Sequence, residues 1–165
     1  MARRPTARVG AGRVAALFVP LAVVAWLSGL PFVFPSLGPS AYVLAVSPDA
    51  DTSRPARVFG GHLIGLAAGL AAYHLLAPGL VLTTQPAAGS LASGRLAASA
   101  FLAVVGTTAG MVASEYRHAP ACATTLIVAL GLLTTAREAV VVVLAVGALL
   151  ATDAGLRRIA RRRRR

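Results

Sequence analysis

Charge is missing from most of this chain. No Asp, Glu, Arg or Lys occurs over residues 14–48, 58–94, 96–114 or 119–136. A soluble helix carries a polar face beside its apolar one, and stretches of this length have no charged face to show. The chain has 165 residues, 57% of them apolar, and a mean hydropathy of +0.76. That leaves too little polar surface to wrap such segments as a buried soluble core. The expectation is one all-α domain, a polytopic transmembrane helical bundle.

The charges that remain gather at the ends. All sixteen basic residues are Arg, and most of the net charge of +11 is terminal. Arg3, Arg4, Arg8 and Arg13 precede the first apolar run, while Arg157, Arg158 and the five Arg of residues 161–165 follow the last. A run of five Arg is also a nucleic-acid signal. Beside a membrane body it reads instead as a tail held in the cytoplasm by the positive-inside rule and by anionic lipid head groups, with no nucleic-acid partner. The expected organisation is a basic cytoplasmic tail at 1–13, a transmembrane domain at 14–155 and an Arg-rich cytoplasmic tail at 156–165, in the cell membrane. A basic stretch followed by an apolar one also resembles a signal peptide. The apolar segment, however, runs on through Phe34 without a polar cleavage region, so an uncleaved first span is expected. The single Cys122 excludes an internal disulfide.

Two prolines organise the spans. The first span covers about 14–30, with Trp26 near its far end, where an indole suits the interface. Residues 31–47 contain Pro31, Pro35 and Pro39 and cannot form one continuous helix. An extended lead at 32–37 and a short helix at 39–46 fit better. At about 3.3 Å per extended and 1.5 Å per helical residue, lead and helix together cross a core of roughly 30 Å, which the helix alone cannot. A polar loop at 48–57 follows. The next span, about 58–76, carries Gly61, Gly65 and Gly69 at a four-residue spacing, a ridge that lets another helix come close. A Gly/Ser/Pro/Gln linker at 78–94 then divides the chain. The second half repeats the order: a span at 95–113 with Gly106 and Gly110, a second Pro-opened run at 120–133 after the loop 114–118, and a Val-rich last span at 139–150 that a membrane setting makes helical.

The Arg residues discriminate between four and six crossings. With six, Arg54, Arg57 and Arg117 share a side with both tails, and only Arg95 and Arg137 lie opposite. With four, Arg54, Arg57, Arg117 and Arg137 all lie opposite the tails. The positive-inside rule favours about six spans, two of them short or broken. Two groups of three make a possible 3+3 inverted repeat, the plan of many secondary transporters. The helices opened by Pro39 and Pro120 then point their N-termini at the bilayer midplane, where unpaired N–H groups and the helix dipole suit a small anion. Ser36, Gly38 and Ser40 line one side, and His118, Ala119 and Cys122 the other.

At these residues the sequence resembles the HPP family of small integral membrane proteins. The matching stretches are Ser36-Leu37-Gly38-Pro39-Ser40-Ala41, Ser47-Pro48-Asp49-Ala50 running on to Arg54-Pro55-Ala56-Arg57-Val58-Phe59-Gly60-Gly61-His62, and His118-Ala119-Pro120-Ala121-Cys122-Ala123-Thr124. The name-giving His-Pro-Pro reads His-Ala-Pro here, and Cys122 stands where Gly is usual. The resemblance covers about 29–150. Plant plastid relatives are associated with nitrite transport, which implies by analogy a nitrite-like or other small anion as substrate. The candidate substrate-binding set is Ser36, Gly38, Pro39, Ser40, Gly61, His62, His118, Pro120, Cys122 and Thr124.

Two roles fit His62 and His118. Either donates to an anion or carries a proton in a coupled step, or each bridges backbone at a broken helix. His74 reads as an interface residue. Asp49 and Asp51 are placed to pair with Arg54 and Arg57 in a lid or a solvated turn, while Glu115 with Arg117, and Arg137 with Glu138, read as ordinary loop charges. No His or Cys pair has metal-ligand spacing, no phosphate loop follows a strand, and Gly-x-Ser-x-Gly is absent, so neither an enzyme nor a cofactor is expected. The competing class is a non-transporting membrane subunit whose glycine ridges meet a partner protein. A chain this small also suits a homodimer.

Overall fold

Backbone in hydrocarbon must satisfy its own N–H and C=O groups, which makes apolar runs helical. The computed structural model describes residues 6–84 and 86–162, and among them are six α-helices and no strand. They are α1 (Ala7–Ser28), α2 (Leu37–Val46), α3 (Pro55–Leu76), α4 (Leu91–Ala113), α5 (Ala121–Ala129) and α6 (Ala136–Arg162). Arg3, Arg4 and residues 163–165 of the expected tails lie outside the described residues. α1, α3, α4 and α6 are each long and apolar enough to cross a membrane. α2 and α5, with 10 and 9 residues, are not; at 1.5 Å per residue each reaches about half of a ~30 Å core.

Local chemistry sets the boundaries. Gly29, with φ 65°, closes α1 and returns its N–H to Ala25 O. Residues 30–36 then run without regular structure, as Pro31 and Pro35 require, and bury Phe32 and Phe34. α2 starts at Leu37, two residues before the expected Pro39, because Pro39 falls in the first turn, where its missing N–H costs nothing. The second Pro-opened run is shorter than expected: α5 ends at Ala129, and Gly131, with φ 84°, turns the chain away. α1 and α6 extend past their apolar spans, so both Arg-bearing flanks are helical within the described residues.

Loop contacts sort the ends of the elements onto two faces. On one, Arg13 Nη2 donates to Asp153 Oδ1 at 2.8 Å, and Arg157 donates to Asp153 Oδ2 at 2.6 Å and to Pro48 O at 2.9 Å. These bonds join the start of α1, the end of α6 and the loop after α2. On the other, Arg95 donates to Leu76 O, His74 bonds Thr134 O, and Leu82 N–H donates to Leu130 O. The lead and α2 therefore carry the chain from one face to the other. The chain runs from one end of the bundle to the other six times.

Packing follows the two halves. α1 packs on α2 and α6, and α4 packs on α5 and α3; α2 meets α6 as α5 meets α3, and α3 meets α6. Exchanging α1, α2 and α3 for α4, α5 and α6 reproduces the same set of contacts. The third helix of each half thus lies in the other half. The glycine ridge of α3 is what α5 rests on: a Cβ on Gly65 would lie 2.7 Å from Ala121 O, and one on Gly69 would lie 2.8 Å from Val128 Cβ. Gly110 of α4 receives Ile64 of α3 in the same way. The apolar core joins α1, α2 and α6 through Leu17, Leu21, Leu44, Val142, Val146 and Leu149.

Candidate functional site

Polar side chains are buried in this apolar body at one main place, where the first turns of α2 and α5 meet. Ser36 ends the irregular lead in a turn, Ser40 lies in the first turn of α2, and His118 and Thr124 flank the start of α5. His62 reaches in from α3. Ser40 and His118 are 0% exposed and His62 is 2% exposed. Burying such groups without partners costs several kcal/mol each, so their bonds decide the local structure.

The bonds form one chain. Ser36 Oγ lies 2.7 Å from Thr124 Oγ1, and Thr124 Oγ1 lies 2.7 Å from His62 Nδ1. His62 Nε2 is 2.9 Å from Ser40 Oγ, which is 3.0 Å from His118 Nε2. His118 Nδ1 donates to Thr52 O at 2.9 Å. Thr52 belongs to the single helical turn Asp51–Ser53, which Ser53 Oγ ties to Ser47 O and Asp51 ties to Arg54 and Arg57. That turn closes the site toward the face that carries Arg13 and Arg157. The crevice beside His62, lined by Phe59, Leu66 and Val142, leaves no room for a water molecule.

The candidate residues separate into groups. Ser36, Ser40, His62, His118 and Thr124 share the bonded chain. Gly61 stands behind it, where a Cβ would lie 3.0 Å from His118 Cβ, so its missing side chain is what admits the histidine. Pro39 and Pro120 mark the two helix starts, and Gly38 opens no close contact. Cys122, half-buried, joins none of these bonds. The expected unpaired N–H groups are not what α5 presents: Ala121, Cys122 and Ala123 donate to His118 O, Ala119 O and Pro120 O in a tight turn. Side chains supply the donors instead.

Other pairings also differ from the sequence reading. Asp51 alone takes both Arg54 and Arg57. Glu138, read as an ordinary loop charge, instead accepts from Thr134 N–H and Thr135 N–H at the start of α6. Glu115 does bond Arg117, at 2.8 Å. Thr52 was not among the expected site residues, because a carbonyl acceptor in a polar loop leaves no mark in the sequence. Thr125, bonded to Thr107 at 2.8 Å, and Ser99, donating to Ala129 O, tie α5 to α4 beside the site. Among the described residues no three His, Cys, Asp or Glu side chains come together as metal ligands.

Six apolar traverses, two of them broken at proline, around a buried Ser/Thr/His cluster define an integral membrane protein of the broken-helix kind. The chain belongs to the HPP family, matching the family model described as "HPP, transmembrane region" over residues 2–165. No curated protein and no solved structure matches it.

Proposed function

We propose that the protein carries a small anion across the cell membrane through the polar cluster at the first turns of α2 and α5. The observation that supports this is the convergence of three hydroxyls and two imidazoles, from three helices, the lead before α2 and the loop before α5, in a largely apolar body. Ionisable groups inside a membrane bundle are expensive and mark transport pathways. Hydroxyl O–H and imidazole N–H groups can each turn to an anion, and the first turns of two helices add partial positive charge. The anion enters by taking over the bonds that join Ser36 to Thr124 and Ser40 to His62 and His118. The family analogy with plastid nitrite transport makes nitrite the first substrate to try.

The charge distribution supports one direction of insertion. Among the described Arg residues, only Arg95 and Arg137 lie on the face opposite the chain ends. The positive-inside rule then places both ends in the cytoplasm, with the Arg-rich flanks on anionic head groups. Purified protein in liposomes should give saturable flux of nitrite above empty liposomes, with nitrate, formate and chloride as comparisons. Ser36→Ala should reduce that flux at least tenfold while the protein still inserts. Folded, inserted wild type that moves none of the four would return the function to a membrane subunit that binds a partner protein.

A further inference from the structure

We propose that His118 is a proton-loading site that takes up one proton with each anion, and that the Ser40 hydroxyl is the switch between its two states. The inference rests on the anion-carrier reading above and names its coupling ion. It follows from the hydrogen-bond geometry once donors and acceptors are assigned.

His118 Nδ1 lies 2.9 Å from Thr52 O, which can only accept, and 3.4 Å from Thr52 Oγ1; the shorter contact puts a hydrogen on Nδ1. In the neutral ring Nε2 is then bare and accepts from the Ser40 hydroxyl at 3.0 Å. The single Ser40 hydrogen is used there, so His62 Nε2 must donate to Ser40 Oγ at 2.9 Å. Neutral His62 in turn accepts at Nδ1 from Thr124, which accepts from Ser36. Every buried member is satisfied, and the two imidazoles are opposite tautomers.

Ser40 Oγ has a second acceptor within reach, Ser36 O at 3.1 Å. If the hydroxyl turns there, its lone pairs face both rings, and His118 Nε2 needs a hydrogen to remain bonded. One added proton meets that need. The doubly protonated ring donates from Nδ1 to Thr52 O and from Nε2 to Ser40, His62 keeps both of its bonds, and no donor is orphaned. In the balanced step an O–H bond of a hydronium ion from the solvent breaks, leaving water, as an N–H bond forms at His118 Nε2, and release reverses both changes. No other covalent bond of the protein changes.

A charge on a buried imidazole is costly unless an opposite charge accompanies it. The surroundings supply none. From α3, His118 faces His62, with ring centres 5.4 Å apart. The 51–53 turn brings Asp51, whose carboxylate is already held by Arg54 and Arg57. α2 offers hydroxyls, α5 offers hydroxyls and Cys122, and on its own segment Glu115 pairs with Arg117 beside Tyr116. The incoming anion is the missing counter-charge, so proton and anion load together.

The protein has three histidines, His62, His74 and His118, so nitrogen-15 spectra of histidine-labelled wild type in nanodiscs test this without any variant. Without anion, His62 should be the Nε2–H tautomer and His118 the Nδ1–H tautomer. Saturating nitrite, nitrate or formate should make His118 alone doubly protonated. In liposomes, proton and anion fluxes should run one to one and ignore membrane potential, and Ser40→Ala should lower the proton-to-anion ratio several-fold. Identical tautomers, a His118 that stays neutral with anion bound, or anion flux without protons would overturn the inference while leaving the carrier reading intact. Absence of both anion flux and any spectral change would overturn the two together.

Discussion

At the scale of single residues, the site is held by bonds whose partners, half-buried Thr52 apart, are buried. Thr124 is the clearest case, because its one hydroxyl serves both Ser36 and His62. Thr124→Val keeps the shape and removes the bridge, leaving His62 Nδ1 and Ser36 Oγ with nothing to replace it. An unsatisfied buried group costs about 1–3 kcal/mol. The expected result is a lower thermal unfolding midpoint in detergent together with a large loss of anion flux, and Thr124→Ser should restore most of both. A valine variant as stable as wild type would mean that the Ser36–Thr124–His62 link is not what organises the first turns. The buried carboxylate of Asp153, 2% exposed, does a different task. Between Arg13 and Arg157 it fixes the first helix to the last at the membrane surface, away from the Ser/Thr/His chain.

At the scale of elements, close approach decides whether the site exists. α5 sits on α3 because Gly61, Gly65 and Gly69 leave room for it. In Gly65→Ala the new methyl would meet Ala121 O at 2.7 Å and Thr125 Oγ1 at 2.8 Å, both on the first turns of α5. Backbone cannot yield as a flexible side chain can, so α5 must shift, at about 1–3 kcal/mol, and Thr124 must leave His62. Gly147→Ala on α6 is the control. Its Cβ meets nothing within 4 Å, and the change should be neutral or stabilising by about 0.5–1 kcal/mol. Detergent melting curves and flux should therefore separate the two alanines, and equal behaviour would refute the packing argument. This contact was legible in the sequence because a four-residue glycine spacing marks one helix face whatever the partner. The two broken helices were legible because proline forbids the alternative. The bonds of Thr52 to His118 and of Thr107 to Thr125 were not. They depend on how far each helix is rotated when it packs, over separations of 66 and 18 residues, and hydropathy says nothing about rotation. For the same reason Asp153 shows its partner one turn away, Arg157, but not Arg13, 140 residues distant.

At the scale of the whole molecule, each half lends its third helix to the other. α3 packs with α4 and α5, and α6 with α1 and α2, so neither half is a separate body in sequence. The bodies able to move against each other are α1, α2 and α6 on one side and α3, α4 and α5 on the other, and the Ser/Thr/His chain lies across the division between them. Alternating access by rocking therefore requires that the bonds of Ser36 and Ser40 to Thr124, His62 and His118 break and re-form in each cycle. It also requires the loop after α2 and the linker after α3 to lie on opposite sides of the membrane. In a Cys122→Ala background, a single cysteine at Ala88 should react with a membrane-impermeant maleimide on intact cells. One at Asp49 should react only after the membrane is opened, as should one at Arg8. Ala88 and Asp49 are exposed loop residues and Arg8 is exposed in the first turn of α1, so labelling reports sidedness rather than burial. Labelling of Ala88→Cys and Asp49→Cys from the same side would make α2 a re-entrant element, reduce the traverses to four and remove the inverted relation on which rocking depends. Labelling of Asp49→Cys and Arg8→Cys from outside, with Ala88→Cys protected, would keep the six traverses but reverse the protein against its own charge, leaving nine described Arg on the extracytoplasmic face and two, Arg95 and Arg137, within. The positive-inside rule opposes that arrangement, and the accessible cysteine should be the one at Ala88.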